Sequence, residues 1–350
     1  MLPDILSMYE DELTEFVIGL GEEKYRGKQL YKWLHTGAAL DQMSDLPKKM
    51  REKLALRSSI PYVTAEKKQV SEDGTVKYLF RCFDGEYIES VFMTHDYGNT
   101  VCVSSQAGCR MGCRFCASTL NGLQRSLYAS EMLSQVYEAQ KDTGKRVSNI
   151  VIMGMGEPFD NYDNVVRFIR LINSENGANI SCRHISLSTC GIVDGIKRFA
   201  GEGLPVTLSV SLHSPNNEKR NEIMPVNRRY PIEALLPACR EYFEKTGRRI
   251  SFEYALIDGK NNSEEDAKEL ASVLKSYIPG MAIHVNLIPV NPIEERDFRR
   301  GSRIKTESFV RTLEKNGVNA TVRRRLGSDI DASCGQLRAR KYKEEDETSR

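Results

Sequence analysis

From about residue 100 onward, short β-branched or apolar runs alternate with longer amphipathic stretches, and the alternation repeats in series. The runs are Thr100–Ser105, Asn149–Met153, His184–Thr189, Val206–Ser211, Ile250–Leu256 and Ile283–Ile288. Helical periodicity follows each of them, at 130–143, 161–174, 192–201, 231–246, 264–277 and 306–316. Strands connected through helices pair in parallel with right-handed crossovers. Six such units fall short of a closed eightfold barrel. The pattern therefore predicts an α/β fold with a partial (β/α)6 barrel, and a doubly wound open sheet is the alternative. One more strand is expected near Asn319–Arg324.

The flanking regions read differently. Residues 1–58 form a small helical accessory domain, in which Ile5, Leu6, Leu13, Phe16, Val17 and Leu20 keep a 3.6 period. Its third helical stretch carries Lys48, Lys49, Arg51, Lys53 and Arg57, which suits either an RNA-binding face or a solvated one. Residues 59–94 are read as a β-hairpin connector, with Lys77–Phe83 and Glu86–Met93 turning at Asp84-Gly85. The core spans 95–328. The segment 329–350 contains Cys334 and ends in a run, 341–350, that reads as a solvated tail.

Composition removes several classes. Lys and Arg number 50 against 48 Asp and Glu, so no global polycation exists and any nucleic-acid contact must be a local patch. Candidate patches are Arg296, Arg299, Arg300 and Arg303, and the run Arg323-Arg324-Arg325. No apolar stretch approaches the roughly 18 residues of a membrane span. The N-terminus lacks a charged-then-apolar leader. The cysteines number nine, an odd count, and three of them cluster, which argues against a disulfide scaffold and for a reducing cytoplasm.

The clustered cysteines are Cys109, Cys113 and Cys116, in Cys-Arg-Met-Gly-Cys-Arg-Phe-Cys. Three thiolates can hold three irons of a [4Fe–4S] cluster and leave the fourth iron open for chemistry. A zinc knuckle short of one ligand, or three incidental core cysteines, are the other readings. Polar motifs fall where the strands end: Gly154-Met155-Gly156-Glu157-Pro158, Ser186-Leu187-Ser188-Thr189, Ser209-Val210-Ser211-Leu212-His213 and Asn286-Leu287-Ile288-Pro289-Val290-Asn291. The carboxyl ends of parallel barrel strands are where catalytic groups collect. Of these residues, His213 suits a ligand contact and a loop brace equally.

Cys-x3-Cys-x2-Cys resembles the signature of radical S-adenosylmethionine (SAM) enzymes, whose open iron binds SAM and whose cluster supplies the electron that cleaves it to a 5′-deoxyadenosyl radical. The wider wording resembles the dual-specificity adenine-C2 RNA methyltransferases of the RlmN type. The matching stretches run from Cys102-Val-Ser-Ser-Gln-Ala-Gly-Cys109 through Gly-Met-Gly-Glu-Pro, Leu-Ser-Thr, Ser-Leu-His and Asn-Leu-Ile-Pro-x-Asn-Pro to Asp-Ile-Asp-Ala-Ser-Cys334-Gly-Gln-Leu. The resemblance implies SAM contacts at Gly156, Glu157, Ser188, Ser211, Leu212, His213 and Asn291. It also implies two SAM molecules per methylation. Cys334 would take a methyl group from one, and the radical from the other would activate it for addition to adenine C2. Cys102 would then release the product by forming a disulfide with Cys334, and Glu89 would take the C2 proton. The implied substrates are an adenine in the peptidyl-transferase centre of 23S rRNA and the adenine beside the tRNA anticodon. An external electron donor, such as a flavodoxin-type reductase system, and a monomeric chain away from the membrane complete the expectation. Without the resemblance, Cys102 reads as a small core residue and Glu89 as a surface carboxylate, while Cys82, Cys182, Cys190 and Cys239 read as packing residues. The rivals are an adenine-C8 rRNA methyltransferase, which shares the cluster and both reactive cysteines, and a non-enzymatic metal-stabilised RNA-binding protein.

Overall fold

A computed structural model describes residues 2–291, 296–324, 326–327, 329–330 and 335–348. Three helices come first: α1 (Glu10–Gly19), α2 (Tyr25–Leu34) and α3 (Lys48–Arg57). Strands β1 (Thr64–Val70), β2 (Val76–Arg81), β3 (Tyr87–His95) and β4 (Gly98–Cys102) follow, then the short strands β5 (Gln106–Gly108) and β6 (Leu123–Ser126). The repeating part runs α4 (Ala129–Thr143), β7 (Val147–Ile152), α5 (Tyr162–Asn173), β8 (Ile185–Thr189), α6 (Val193–Ala200), β9 (Thr207–Ser211), α7 (Asn217–Ile223), α8 (Ile232–Thr246), β10 (Ile250–Leu256), α9 (Glu264–Tyr277), β11 (His284–Pro289), α10 (Arg303–Lys315) and β12 (Asn319–Val322). Helix α11 (Gln336–Thr348) closes the described chain.

Ten strands form one sheet in the order β1-β2-β3-β4-β7-β8-β9-β10-β11-β12. The first four are antiparallel neighbours, and every pair from β4 to β12 is parallel. Strand order follows chain order without reversal, so the right-handed crossovers carry all their helices to one face. That is the winding of a barrel and not of a doubly wound sheet. Residues 64–95 differ from the expected connector: three strands extend the main sheet.

Side-chain alternation explains the curl. Ile185, Leu187, Leu208, Val210, Phe252, Tyr254, Val285 and Leu287 are buried against the helices. Their sequence neighbours form the other face, and the register sets Ser188 beside Ser209, Ser209 beside Ser251, Ser211 beside Glu253, and Glu253 beside Asn286. Parallel sheets covered on both sides are normally apolar throughout. Here the inner face is polar, as expected of a barrel that encloses a ligand space.

The sheet edges do not pair as strands. Backbone N–H groups and carboxylates bridge them instead: Gly327 donates to Asp73 at 2.8 Å and Glu72 donates to Asp329 at 3.1 Å. A cavity of about 1210 Å³, open to solvent, is lined from both edges and from the barrel centre. The N-terminal helices bury Leu13, Val17, Leu30, Leu34, Met50 and Leu54 in the same apolar core as the barrel helices.

One expectation is corrected. The run 341–350 reads as a solvated tail, yet Gln336–Thr348 is helical. Leu337 packs on Leu79 and Tyr87, and the Tyr342 ring meets Tyr87 edge-on. The helix survives its low apolar content because its first turn is anchored by tertiary contacts.

Candidate active site

The three-cysteine loop grows out of the β5–β6 hairpin, directly after β4. Its ends are tied by the Cys109 N–H to the Gly122 carbonyl at 3.0 Å. Inside it, the Thr119 hydroxyl donates to the carbonyls of Cys113 and Cys116 at 3.1 and 2.9 Å. The Arg114 N–H donates to the Ile223 carbonyl at the end of α7 (2.9 Å). Cys109 and Cys113 are buried and Cys116 is partly exposed. Burial pushes the Cys109 thiol up to about 12 and Cys113 well up, and each thiol raises its neighbour further. Met111, Phe115, Ile223, Met224, Ile257 and Val290 form an apolar cluster with Cys113 and Cys116.

The Gly154–Glu157 turn after β7 lies on this loop's stem. The Met155 N–H donates to the Ser104 hydroxyl (2.9 Å), and the Glu157 N–H to the Gln106 side chain (2.8 Å). Gly156 sits at φ +99°, and a Cβ there would come within 2.5 Å of the Gln106 side chain. The glycine is required by this contact with the protein itself. Glu157 is buried, and its carboxylate already accepts from Thr189 Oγ1 (2.7 Å), the Cys190 N–H (2.7 Å) and the Phe159 N–H (3.1 Å). Burial raises its pKa.

Ser188 and Ser211 face the lumen near the ends of β8 and β9, and Asn291 lines the cavity beyond β11. Leu212 is fully buried and offers only backbone, of which the N–H goes to the Glu253 carbonyl at 3.0 Å. His213 adopts φ +56°, its Nδ1 accepts from the Ala255 N–H (2.8 Å), and Phe115 of the cysteine loop packs edge-on against its ring at 4.7 Å. Burial holds its pKa down at about 3, so the ring is neutral. Between the two roles open to His213, these contacts are those of a brace.

Cys102 is buried in β4, but on the inner face, where it lines the cavity opposite Val91 of β3. Glu89, two residues further along β3, is buried rather than a surface carboxylate. It accepts from Lys77 Nζ (2.5 Å), from the Gly335 N–H (2.5 Å) and from the Arg338 N–H (2.8 Å), capping the first turn of α11. Cys334 lies outside the described residues. Its neighbour Gly335 (φ +83°) abuts Ser118 of the cysteine loop, where a Cβ would be 2.6 Å from the Ser118 nitrogen.

Comparison with known proteins fits this geometry. Residues 103–271 match the model of the radical SAM superfamily, and residues 3–60 match the ribosomal RNA large subunit methyltransferase N-terminal domain. A probable dual-specificity RNA methyltransferase RlmN of Lachnospira eligens is 51% identical over 99% of both chains. That of Lachnoclostridium phytofermentans is 53% identical over 96% of this chain and 94% of its own. The chain belongs to the RlmN-type radical SAM RNA methyltransferases. A radical SAM methyltransferase from Sphaerobacter thermophilus, known by crystal structure, superposes on this RlmN-type chain with a TM-score of 0.91 at 43% identity, covering 95% of this chain and 98% of its own. Family membership implies a [4Fe–4S] cluster and SAM. The three-thiol loop fits the cluster, which takes one thiolate from each of Cys109, Cys113 and Cys116 and leaves one iron open. Among the described residues, no helix is long and apolar enough to cross a membrane.

Three buried charges at this RlmN-type site are absent from the motif reading. Lys77 is fully buried against Glu89. Glu253 is buried beside Ser211, accepts from Asn286 Nδ2 (3.2 Å) and lies 4.0 Å from Arg323. Arg220 is fully buried on α7, whose last carbonyl, Ile223, accepts the Arg114 N–H of the cysteine loop. The available signal was a charged residue on the alternating inner face of a strand, as at Lys77 and Glu253. Of the arginine patches, Arg300, Arg323 and Arg324 line the cavity, as do Arg183 and His184 at the opposite strand ends. Arg303 is tied to Glu307 on the surface, and Arg325 lies outside the described residues.

Proposed function

We propose that this chain methylates C2 of adenine in 23S rRNA, in the peptidyl-transferase centre, and in tRNA beside the anticodon. The carrying observation is the convergence of Cys102, Glu89, the cysteine loop and the start of α11 on one barrel rim. The bound cluster would supply the electron that turns SAM into a hydrogen-abstracting radical. The chain's own residues do the rest. An aromatic C–H carbon is too weak a nucleophile to take a methyl group directly, so Cys334 carries the carbon as a thioether after displacement on a first SAM. The second SAM is consumed in activating that methyl group. Once the new carbon–carbon bond has formed and the adduct has lost its C2 proton and one electron, returned to the bound cluster, the Cys102 thiolate attacks the Cys334 sulfur. The S–C bond breaks as the disulfide forms, and the released carbon takes a proton to complete the methyl group. Glu89 takes the C2 proton on Oε1, a carboxylate oxygen with two acceptor sites that accepts from the Arg338 N–H. Ser188, Ser211 and Asn291 offer side-chain hydrogen bonds to SAM, and Gly156, Glu157, Leu212 and His213 shape the rim through backbone and packing.

Support for a polyanionic substrate comes from Arg300 and Arg324, cations of the cavity wall without an ion-pair partner among the described residues. The helical region 1–58 is the accessory RNA-binding unit of this reading, the strands of 59–94 extend the sheet of the core 95–328, and 329–350 brings Cys334. Electrons come from an external flavodoxin-type donor to a monomeric enzyme in the cytoplasm.

The test uses anaerobically reconstituted protein with SAM, reductant and 23S rRNA or tRNA, followed by nucleoside mass spectrometry. The expected product is 2-methyladenosine, with none from Cys334→Ala and a trapped protein–RNA adduct from Cys102→Ala. An 8-methyl product would transfer the chain to the rival chemistry, and SAM cleavage without RNA methylation would make the substrate wrong. Arg300→Glu with Arg324→Glu should flatten the salt dependence of RNA binding by about 0.7 log unit per lost single-strand phosphate contact. An unchanged slope would remove these arginines from the interface.

A further inference from the structure

Arg220 heads the fully buried side chains by volume, with 0% of its surface exposed. All its donors meet neutral oxygens. Nε donates to the Leu212 carbonyl (3.0 Å), and Nη1 to Asn227 Oδ1 (2.7 Å) and the Tyr230 carbonyl (3.4 Å). Nη2 donates to the carbonyls of Cys190 (2.9 Å) and Ser211 (3.1 Å). The guanidinium thus ties together the loops after β8 and β9. Hydrogen bonds satisfy its N–H groups, but they do not neutralise its charge. Among the described residues no carboxylate pairs with it, and the nearby Glu157 spends its oxygens on Thr189, Cys190 and Phe159.

A buried cation without an anion costs several kcal/mol even after relaxation. Cys113 and Cys190 share one buried cluster with Ile223 and Met224, Nη2 holds the Cys190 carbonyl, and Arg114 of the cysteine loop donates to the Ile223 carbonyl at the end of the helix that carries Arg220, so the guanidinium is packed against that loop. Burial accordingly lowers its pKa to about 10, and the groups that oppose this are the sulfurs of Cys190, Cys113 and Cys239. All three sulfurs are buried. Of the three, Cys113 alone belongs to the metal-binding loop. Cluster binding would deprotonate it together with Cys109 and Cys116 and create the anion that Arg220 lacks.

We propose that Arg220 is the built-in counter-charge of the cysteine-bound cluster, fixed behind Cys113, and that its positive charge raises the cluster's reduction potential. The inference rests on the cluster reading above. Reduction adds one electron to the cluster and makes it more negative, so a fixed cation favours the reduced form. A merely structural arginine would need its donors and not its charge.

The experiment is an EPR-monitored redox titration of the reconstituted full chain. Three variants separate charge from hydrogen bonding. Arg220→Met removes both, Arg220→Lys keeps the charge, and Asn227→Asp sets a carboxylate directly on the intact guanidinium. The expected result is a reduction equilibrium about tenfold less favourable in Arg220→Met and in Asn227→Asp, a fall of about 59 mV for one electron. Arg220→Lys should stay near the wild type. If Arg220→Met fails to fold, Asn227→Asp against the wild type carries the test. An unchanged potential in Asn227→Asp, or a fall in Arg220→Lys as large as in Arg220→Met, would overturn the proposal. A wild-type chain that yields no [4Fe–4S] signal would instead overturn the cluster reading on which it stands.

Discussion

Lys77 and Glu89 lie diagonally on adjacent antiparallel strands, since Lys77 faces Val91 and Leu79 faces Glu89. Their side chains are 0% and 1% exposed, so neither charge can fall back on water. Removing one partner of such a pair costs about 3–5 kcal/mol, because the other stays buried and unpaired. Lys77→Met should therefore lower unfolding free energy by that amount in urea titration, and a loss below 1 kcal/mol would mean that Glu89 finds another donor. Gly156 is the second residue whose environment allows one choice. Gly156→Ala combines an unfavourable φ with a collision against Gln106, and the expected loss is about 1–3 kcal/mol. Gly74, also at positive φ but with open space around it, is the control for the backbone term alone. Neither Lys77 nor Arg220 stands out in the sequence, since the meaning of a lysine in a strand or an arginine in a short helix depends on what surrounds it.

Among the elements, the parallel strands and their helices were legible to within a few residues, because their patterns are local. The expected strand Ile250–Leu256 and helix 264–277 coincide with β10 and α9. α9 even declares its start, with Ser263 and Asp266 exchanging the two hydrogen bonds of a capping box. The short hairpin strands β5 and β6 were not expected, and three further elements were not legible. β1 is Thr-Ala-Glu-Lys-Lys-Gln-Val, almost wholly exposed and without alternation, and it exists because β2 offers it a pairing edge. α7 has seven residues, too few for a period to show. α11 lacks an apolar stripe and begins where Glu89, some 246 residues earlier in the chain, accepts its first amides. Glu89→Ala should consequently loosen α11. Hydrogen exchange should speed up across Gln336–Tyr342 while the amides of β10 keep their protection, and equal protection in both would show that the cap is dispensable.

For the whole molecule, two neutral histidines make acid a solvent of this fold. Burial depresses His35 and His213 to about 3, against an ordinary value of 6.5. Between those values the unfolded chain binds protons that the folded chain refuses, so stability rises with pH. Their contribution is complete above pH 6.5 and is lost progressively as pH falls toward 3. His213→Asn should flatten the acid limb of a denaturation midpoint-versus-pH curve, and an unchanged limb would mean that His213 accepts a proton in place. The barrel seam is the other global feature. The Gly327 N–H holds the Asp73 carboxyl down at about 2, a small effect at an exposed site, so its contribution is present above about pH 3.8 and fades as pH falls toward 2. Asp73→Asn together with Asp329→Asn should increase exchange in the β1–β2 turn without unfolding the barrel.

The sequence by itself determined the succession of strands and helices, the polar strand ends and the three-cysteine loop. Each depends on spacing along a few turns of chain, and side-chain periodicity records spacing directly. Tertiary structure alone decided that Glu89 caps α11, that Lys77 pairs with Glu89, that Asp73 and Asp329 bridge the sheet edges, and that Arg220 lies behind the cysteines with no carboxylate partner among the described residues. Those outcomes depend on which residues, far apart in sequence, share a buried volume of low dielectric. No local pattern encodes that sharing, and it is what turns ordinary charged residues into parts of a site.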